Sequence, residues 1–323
     1  MQNKKEKINL DSSNIIVTGG SGFIGSHLVE KLVELGSNVT VIDDLRNSSK
    51  ENLSRVIKEI EFIDSPVEDI FSDLLQSSKK FNYVFHLANE SYVPPSVEDP
   101  FSDLKNNVFP TLKILETIRH ISKSICLLYV SSAAVYGEPG SLPINEPRLP
   151  KPISPYGLSK LTAEQYVCLY SKLHGLMTSS LRLFSVYGPR QEKQVIYDFF
   201  KKLIENPNEI EILGNGNQAR DFVFVDDVVN ALLSVSCNSN FGGEVYNVGT
   251  AEMITTRELA IKISSVMNLT PEYKYTGKTR KGDPEKWLAD ISKINNLGFY
   301  PQTTIDLGLE KVWDWLKSNV KID

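Results

Sequence analysis

The chain is short of cysteine and histidine, has no long apolar run and carries no basic tract, and each shortage removes a class of explanation. Its three cysteines, Cys126, Cys168 and Cys237, are odd in number and widely scattered over 323 residues. That argues against a disulfide framework and for a reducing, cytoplasmic setting. Four histidines (His27, His86, His120, His174) share no metal-ligand spacing with one another or with the cysteines, so no metal site is expected. No stretch approaches the roughly 18–20 apolar residues of a membrane-spanning helix. The first dozen residues are polar and charged, without the apolar core and small-residue cleavage site of a signal peptide. The formal net charge is −5, and Lys4, Lys5 and Lys7 are the nearest thing to a basic block. Neither nucleic acid nor a membrane surface is therefore expected as a partner.

What is present is an ordinary globular composition, 41% hydrophobic and 23% charged, long enough for one large α/β unit with an appended lobe. Apolar runs of strand length fall at 14–18, 39–42, 83–87, 125–131 and 180–184. Between them apolar residues recur at helical spacing, as at Leu28, Leu32 and Leu35 or through 108–118. The runs are continuous rather than alternating, which fits parallel strands covered on both faces. The expected fold is α/β: a Rossmann doubly wound parallel sheet over residues 1–180, with a smaller α/β substrate lobe over 181–323. Segments near 220–250 are expected to return to the main sheet, the strand at 245–249 and the helix at 226–235 among them. A closing amphipathic helix is expected at 305–316, with Trp313 and Trp315 packing rather than reacting.

Thr18-Gly19-Gly20-Ser21-Gly22-Phe23-Ile24-Gly25 lies between an expected strand and an expected helix, the setting a dinucleotide fingerprint requires. Gly19 permits the tight turn, Gly22 lets backbone approach a pyrophosphate, and Gly25 allows close packing. The helix N-terminus offers N–H groups to the phosphates. Asp43 closes the second strand 18 residues past Gly25, where a carboxylate accepts both hydroxyls of an adenosine ribose and repels a 2′-phosphate; NAD is favoured over NADP. Arg46, close by, is the residue that could instead admit a phosphate. Asp64, after Phe62-Ile63, could hold the adenine amine or simply end a strand.

Tyr156-Gly157-Leu158-Ser159-Lys160 follows Ser154-Pro155, an N-cap and first-turn proline. Tyr156 and Lys160 thus share a helix face. A phenol, unperturbed pKa about 10, is expected to be lowered by the ammonium and a nicotinamide cation until it serves as a general base. Together with the glycine turn, this pair points to an NAD(P) enzyme that oxidises or reduces a hydroxyl.

These motifs, with His86-Leu87-Ala88, Asn106-Asn107-Val108, Ser131-Ser132-Ala133-Ala134-Val135-Tyr136-Gly137, Arg220-Asp221-Phe222 and Arg280-Lys281-Gly282-Asp283, make the chain resemble the extended short-chain dehydrogenase/reductases, in their nucleotide-sugar epimerase and dehydratase branch. The resemblance implies Tyr156 as base toward a sugar 4-hydroxyl, Lys160 on the nicotinamide ribose holding Tyr156 ionised, and Ser132 bonded to the same oxygen. It implies cofactor contacts at Gly19, Gly22, Phe23, Ile24, Gly25, Asp43, Asp44, Asn47, Asp64, Ser65, Leu87, Ala88, Asn107, Tyr156 and Lys160. Substrate contacts are implied at Tyr92, Ser132, Ser185, Arg220, Arg280 and Trp287, the two arginines on the diphosphate. It also implies a homodimer joined through the helices beginning near Asn107 and Tyr156.

Relatives that eliminate water, or that decarboxylate, carry acidic residues just after the Ser132 position; here stand Ala133 and Ala134, which transfer no proton. What remains is hydride and proton transfer at C4. The expected activity is NAD-dependent 4-epimerisation of a nucleotide-diphosphate sugar, UDP-linked, through a transient 4-keto sugar. A nucleotide-sugar 4-oxidase or 4-ketoreductase is the alternative, a 4,6-dehydratase a further one, and a non-catalytic NAD sensor a third. Asn89-Glu90-Ser91-Tyr92 and Ser185 depart from common epimerase patterns and point to a modified pocket, for a uronic acid or an unusual hexose or heptose.

Overall fold

A computed structural model describes residues 10–278, 282 and 284–319. Its centre is a seven-stranded, wholly parallel sheet. The strands are β1 (Asn14–Thr18), β2 (Asn38–Asp43), β3 (Glu61–Asp64), β4 (Tyr83–His86), β5 (Cys126–Ser132), β6 (Met177–Leu183) and the late-arriving β11 (Gly242–Val248). Their spatial order is β11-β6-β5-β4-β1-β2-β3, which reverses direction at β1/β4. In open sheets of this kind ligands lie beyond the strand carboxyl ends at such a switch point. Ile15, Ile16, Val17, Val84, Phe85 and Leu128 have essentially no solvent exposure, as expected of strands sandwiched between helices.

Helices α1 (Phe23–Glu34), α2 (Val67–Gln76), α3 (Val93–Glu98), α4 (Pro100–Ile121) and α5 (Pro155–His174) alternate with the first strands. Two separate apolar cores result: one holds Leu28, Leu32 and Val41, the other Phe71, Ile114, Ile118 and Val167. Beyond β6 the elements shorten: β7 (Ser185–Tyr187), α6 (Gln194–Glu205), β8 (Glu209–Ile212), β9 (Ala219–Arg220), β10 (Phe222–Phe224) and α7 (Val225–Asn238). After β11 come β12 (Ile254–Thr255), α8 (Thr256–Val266), β13 (Glu272–Tyr275), α9 (Ser292–Asn295) and α10 (Ile305–Asn319). The strand expected to return does so, β11 pairing in parallel with β6 from Gly242↔Thr178 to Val248↔Leu183. Trp313 of α10 stacks on Phe200 of α6, centroids 5.7 Å apart, the packing role its sequence position implied. Among the described residues no helix is long and apolar enough to cross a membrane, and no histidine, cysteine and carboxylate cluster could hold a metal.

Candidate active site

One cavity of about 1560 Å³ opens at the carboxyl ends of the sheet strands and runs from the β1–α1 turn to the later lobe. It exceeds the roughly 300–1,000 Å³ that a single drug-sized ligand occupies. Its lining unites residues spread over most of the sequence. Gly19, Gly22, Phe23, Ile24, Gly25, Asp43, Asp44, Asn47, Ser65, Leu87 and Ala88 line the end beside β1 and β2. Ser132, Tyr156 and Lys160 line the same space, as do Tyr92, Ser185, Arg220 and Trp287.

The glycine turn is built for close approach. Gly19 has φ +68°, and a Cβ there would lie 2.7 Å from Ala88 N; a Cβ on Gly25 would sit 2.1 Å from Gly19 O. Helix α1 has Gly22 at its N-cap, with neither a side-chain cap bond nor an acidic residue in its first turn, so nothing there competes for an incoming anion. By contrast α5 is capped, Ser154 Oγ accepting from Gly157 N at 3.1 Å. Asp43 is buried and accepts from Ser21 N (3.0 Å), Leu45 N (3.0 Å) and Ser48 Oγ (2.7 Å), which fixes its carboxylate at the cavity edge. Arg46 donates to Asp44 at 2.6 Å and to Asn106 Oδ1 at 3.2 Å. Burial opposes ionisation of Asp44, but these bonds win and hold its carboxyl below the usual range. The arginine that might have admitted a 2′-phosphate is thus committed to neighbours. An uncapped helix start, three close-packed glycines and a fixed carboxylate fit a dinucleotide bearing a free ribose 2′-hydroxyl.

At the end of β5, Ser132 Oγ accepts from Ala134 N at 3.1 Å and hydrogen-bonds the Tyr156 phenol. Tyr156 N is held by Ser96 Oγ of α3 at 3.1 Å. Lys160, 1% exposed, donates to Val130 O at 2.6 Å and lies 4.8 Å above the Tyr129 ring. The electrostatics differ from the expectation. Burial pushes the phenol up to about 12, against the Ser132 hydrogen bond that lowers it, and the Asp103 carboxylate raises it further. Burial likewise drives Lys160 down to about 7, while Asp103 and Glu164 resist. Desolvation outweighs the Ser132 hydrogen bond at Tyr156 and the two carboxylates at Lys160. The chain's own groups therefore do not hold Tyr156 ionised.

Two expected cofactor residues stand elsewhere. Asp64 is exposed at the tip of β3 and does not line the cavity, although its neighbour Ser65 does. Asn107 is buried behind the wall, its Oδ1 accepting from Glu90 N at 2.9 Å and its Nδ2 donating to Asp103 at 2.8 Å. It shapes the loop that carries Glu90 and Tyr92 instead of facing the cavity. Arg280 lies outside the described residues. Arg220 donates to the carbonyls of Ala219 (2.9 Å), Pro284 (2.6 Å) and Glu285 (3.0 Å), and its guanidinium lies 5.4 Å from the Trp287 ring. Trp287 is fixed in turn by Nε1–H donation to Gly137 O at 2.9 Å.

One cavity-lining side chain was not singled out in the sequence. Lys193 joins the lining and its ammonium lies 6.0 Å from the Tyr92 ring; nothing in its local sequence signals this, because the contact spans a hundred residues. Glu90 is tied by Asn106 Nδ2 at 2.8 Å, so Asp44, Arg46, Asn106 and Glu90 form one chain along the rim. A buried ion pair also backs the site, Arg182 donating to Glu164 at 2.5 to 3.2 Å and to Tyr136 Oη at 2.7 Å.

The model of the "NAD dependent epimerase/dehydratase family" matches residues 15–249. The chain belongs to that family. A "Putative UDP-glucose 4-epimerase" from Methanocaldococcus jannaschii is 38% identical over 309 residues, covering 94% of this chain and 99% of that protein. The structure of a UDP-N-acetylglucosamine 4-epimerase from Methanobrevibacter ruminantium, in complex with UDP-N-acetylmuramic acid, superposes with TM-score 0.89 at 33% identity, covering 96% of this chain and all of that one. The Thermus thermophilus UDP-glucose 4-epimerase in complex with NAD gives TM-score 0.86 at 31% identity, over 95% of this chain and all of the other. Family membership accounts for the combination found here, a dinucleotide turn and a buried tyrosine–lysine pair on one cavity.

Proposed function

We propose that this member of the epimerase/dehydratase family is an NAD-dependent UDP-sugar 4-epimerase acting through a transient 4-keto sugar. One observation carries the reading. Tyr156, bonded to Ser132, shares a cavity with the glycine turn, while the next two positions, Ala133 and Ala134, hold no second acid or base. Chemistry that needs only one proton-transfer group beside a hydride carrier fits; elimination across a further carbon does not.

Bound NAD supplies the hydride acceptor and, in its oxidised form, a positive ring. The turn from Gly19 to Gly25 and the α1 N-terminus take its pyrophosphate, and Asp43 its adenosine ribose. Tyr156 removes the proton from the C4 hydroxyl, Ser132 orients that oxygen, and Lys160 holds the neighbouring ribose. Tyr156 later returns the proton as the opposite face of the ketose is reduced. Arg220 and Trp287 hold the nucleotide end of the substrate. The NAD-binding unit comprises residues 1–180 with the returning segments near 220–250, and 181–323 form the substrate lobe.

A homodimer is part of the reading. Adjacent α4 and α5 expose Phe101 (78%), Phe109 (60%), Leu158, Leu169 and Leu173 (66%), an apolar surface of the kind that marks an interface. All three cysteines are free, which supports a cytoplasmic location.

The test is incubation with UDP-linked hexoses, N-acetylhexosamines and uronic acids without added cofactor, resolving C4 epimers by NMR. Epimer formation is expected, with Tyr156→Phe slower by about two to four decades, the scale of a lost acid/base group. Stoichiometric consumption of added NAD with no epimer formed would overturn the reading in favour of an oxidase.

A further inference from the structure

A second carboxylate lies beneath the tyrosine–lysine pair. Asp103, in the first turns of α4, is 1% exposed. Its Oδ1 accepts from Asn107 Nδ2 at 2.8 Å, whereas Oδ2 is sealed from solvent with no well-formed hydrogen bond, the Ser159 hydroxyl lying beside the carboxylate. Helix α4 packs along α5, and the Ser159 contact places the carboxylate against the turn of α5 that ends at Lys160. Burial of an unpaired charge is unfavourable, and a buried carboxylate normally has a cation to answer it.

The surrounding charges show which cation that is. Glu164, one turn beyond Lys160 on α5, is already answered by Arg182 at 2.5 Å. Tyr129 of β5 is neutral, its phenol pushed far up by burial. His86 of β4 is held down to about 3 by burial, between the hydroxyls of Thr18 and Thr111, and is also neutral. Glu90, in the loop after β4, is tied to Asn106. Lys160 itself donates only to a neutral carbonyl, Val130 O, at 2.6 Å.

Building on the epimerase reading, we infer that Asp103 is a positioning residue, the counter-charge that keeps the buried Lys160 ammonium protonated and so sets the pH range in which the Tyr156–Lys160 pair works. Both members of the pair respond in one direction: the carboxylate raises Lys160 and raises Tyr156. Without it, Lys160 loses its proton at lower pH, and the phenolate forms at lower pH. The two limbs of the rate profile belong to the coupled pair, and both move the same way.

The experiment compares wild type, Asp103→Asn and Asp103→Glu. In Asp103→Asn the amide keeps an oxygen for Asn107, and both limbs of the kcat profile are expected to move down by roughly one pH unit or more, the scale of a nearby charge. Asp103→Glu is expected to restore them. Alongside, the Lys160 ε-methylene is titrated by NMR in protein carrying carbon-labelled lysine, its resonance assigned with Lys160→Met; its midpoint is expected to fall in Asp103→Asn. That titration needs no turnover, so it tests the inference even if the epimerase reading fails. Unmoved limbs and an unmoved lysine midpoint in folded Asp103→Asn, whatever its kcat, would leave Asp103 a packing residue only and overturn the inference.

Discussion

Lys160→Met should make the protein more stable in mild acid and less stable in mild alkali. Burial lowers Lys160 from 10.5 to about 7. The ammonium is the disfavoured form, so below about pH 7 folding must bury a charged lysine away from water. A displacement of about 3.5 units at 1.36 kcal/mol each amounts to about 5 kcal/mol. The sign follows from proton counting. Between about pH 7 and 10.5 the unfolded chain binds a proton that the folded chain does not, so wild-type stability rises with pH across that window. Methionine removes the penalty but also the bond to Val130 O, leaving a buried carbonyl unpaired at a loss of about 1–3 kcal/mol. The net is a gain of about 2–4 kcal/mol near pH 6 and a loss of about 1–3 kcal/mol near pH 10.5. Urea unfolding of cofactor-stripped wild type and variant at the two pH values reads both. A difference of one sign and size at both would show that desolvation does not govern this lysine.

Gly25→Ala would place a methyl 2.1 Å from Gly19 O; the turn must shift, and NAD affinity measured calorimetrically should drop at least tenfold, about 1.4 kcal/mol, with a lowered melting temperature. Glu164→Gln strands the Arg182 guanidinium, whose side chain is 5% exposed, and should lower unfolding free energy by about 3–5 kcal/mol. The double change Glu164→Leu with Arg182→Met should recover most of that loss. Phe109→Glu combined with Leu173→Glu, on exposed apolar positions of α4 and α5, should leave a folded monomer by light scattering; an unchanged mass would argue that these helices do not form the interface.

Most of the sheet was legible in the sequence because its strands are buried on both faces and read as unbroken apolar runs. Ile15 to Thr18 and Tyr83 to His86 are cases in which composition and burial coincide. The glycine turn was legible for a local reason, since positive φ at Gly19 and close contact at Gly19 and Gly25 leave few other residues possible. Tyr156 and Lys160 were legible because an N-cap and a four-residue spacing fix a helix face. What could not be read was anything set by distant segments. Asn107 sits at the expected place in α4, yet its side chain turns to Asp103 and Glu90, a choice made by the loop after β4 that lies against α4. The upward push of the chain's own surroundings on the phenol was hidden similarly: spacing shows that two groups are close, but not that both are dry.

The capped start of α5 settles the angle at which its side chains meet the cavity. The cap at Ser154 clamps the rotational phase of the helix that follows. A single residue gained between Ser154 and Tyr156 would swing everything after it by about 100°, the arc of one helical step, and carry the phenol off the cavity wall. One residue gained past the cap is thus a matter of losing the enzyme.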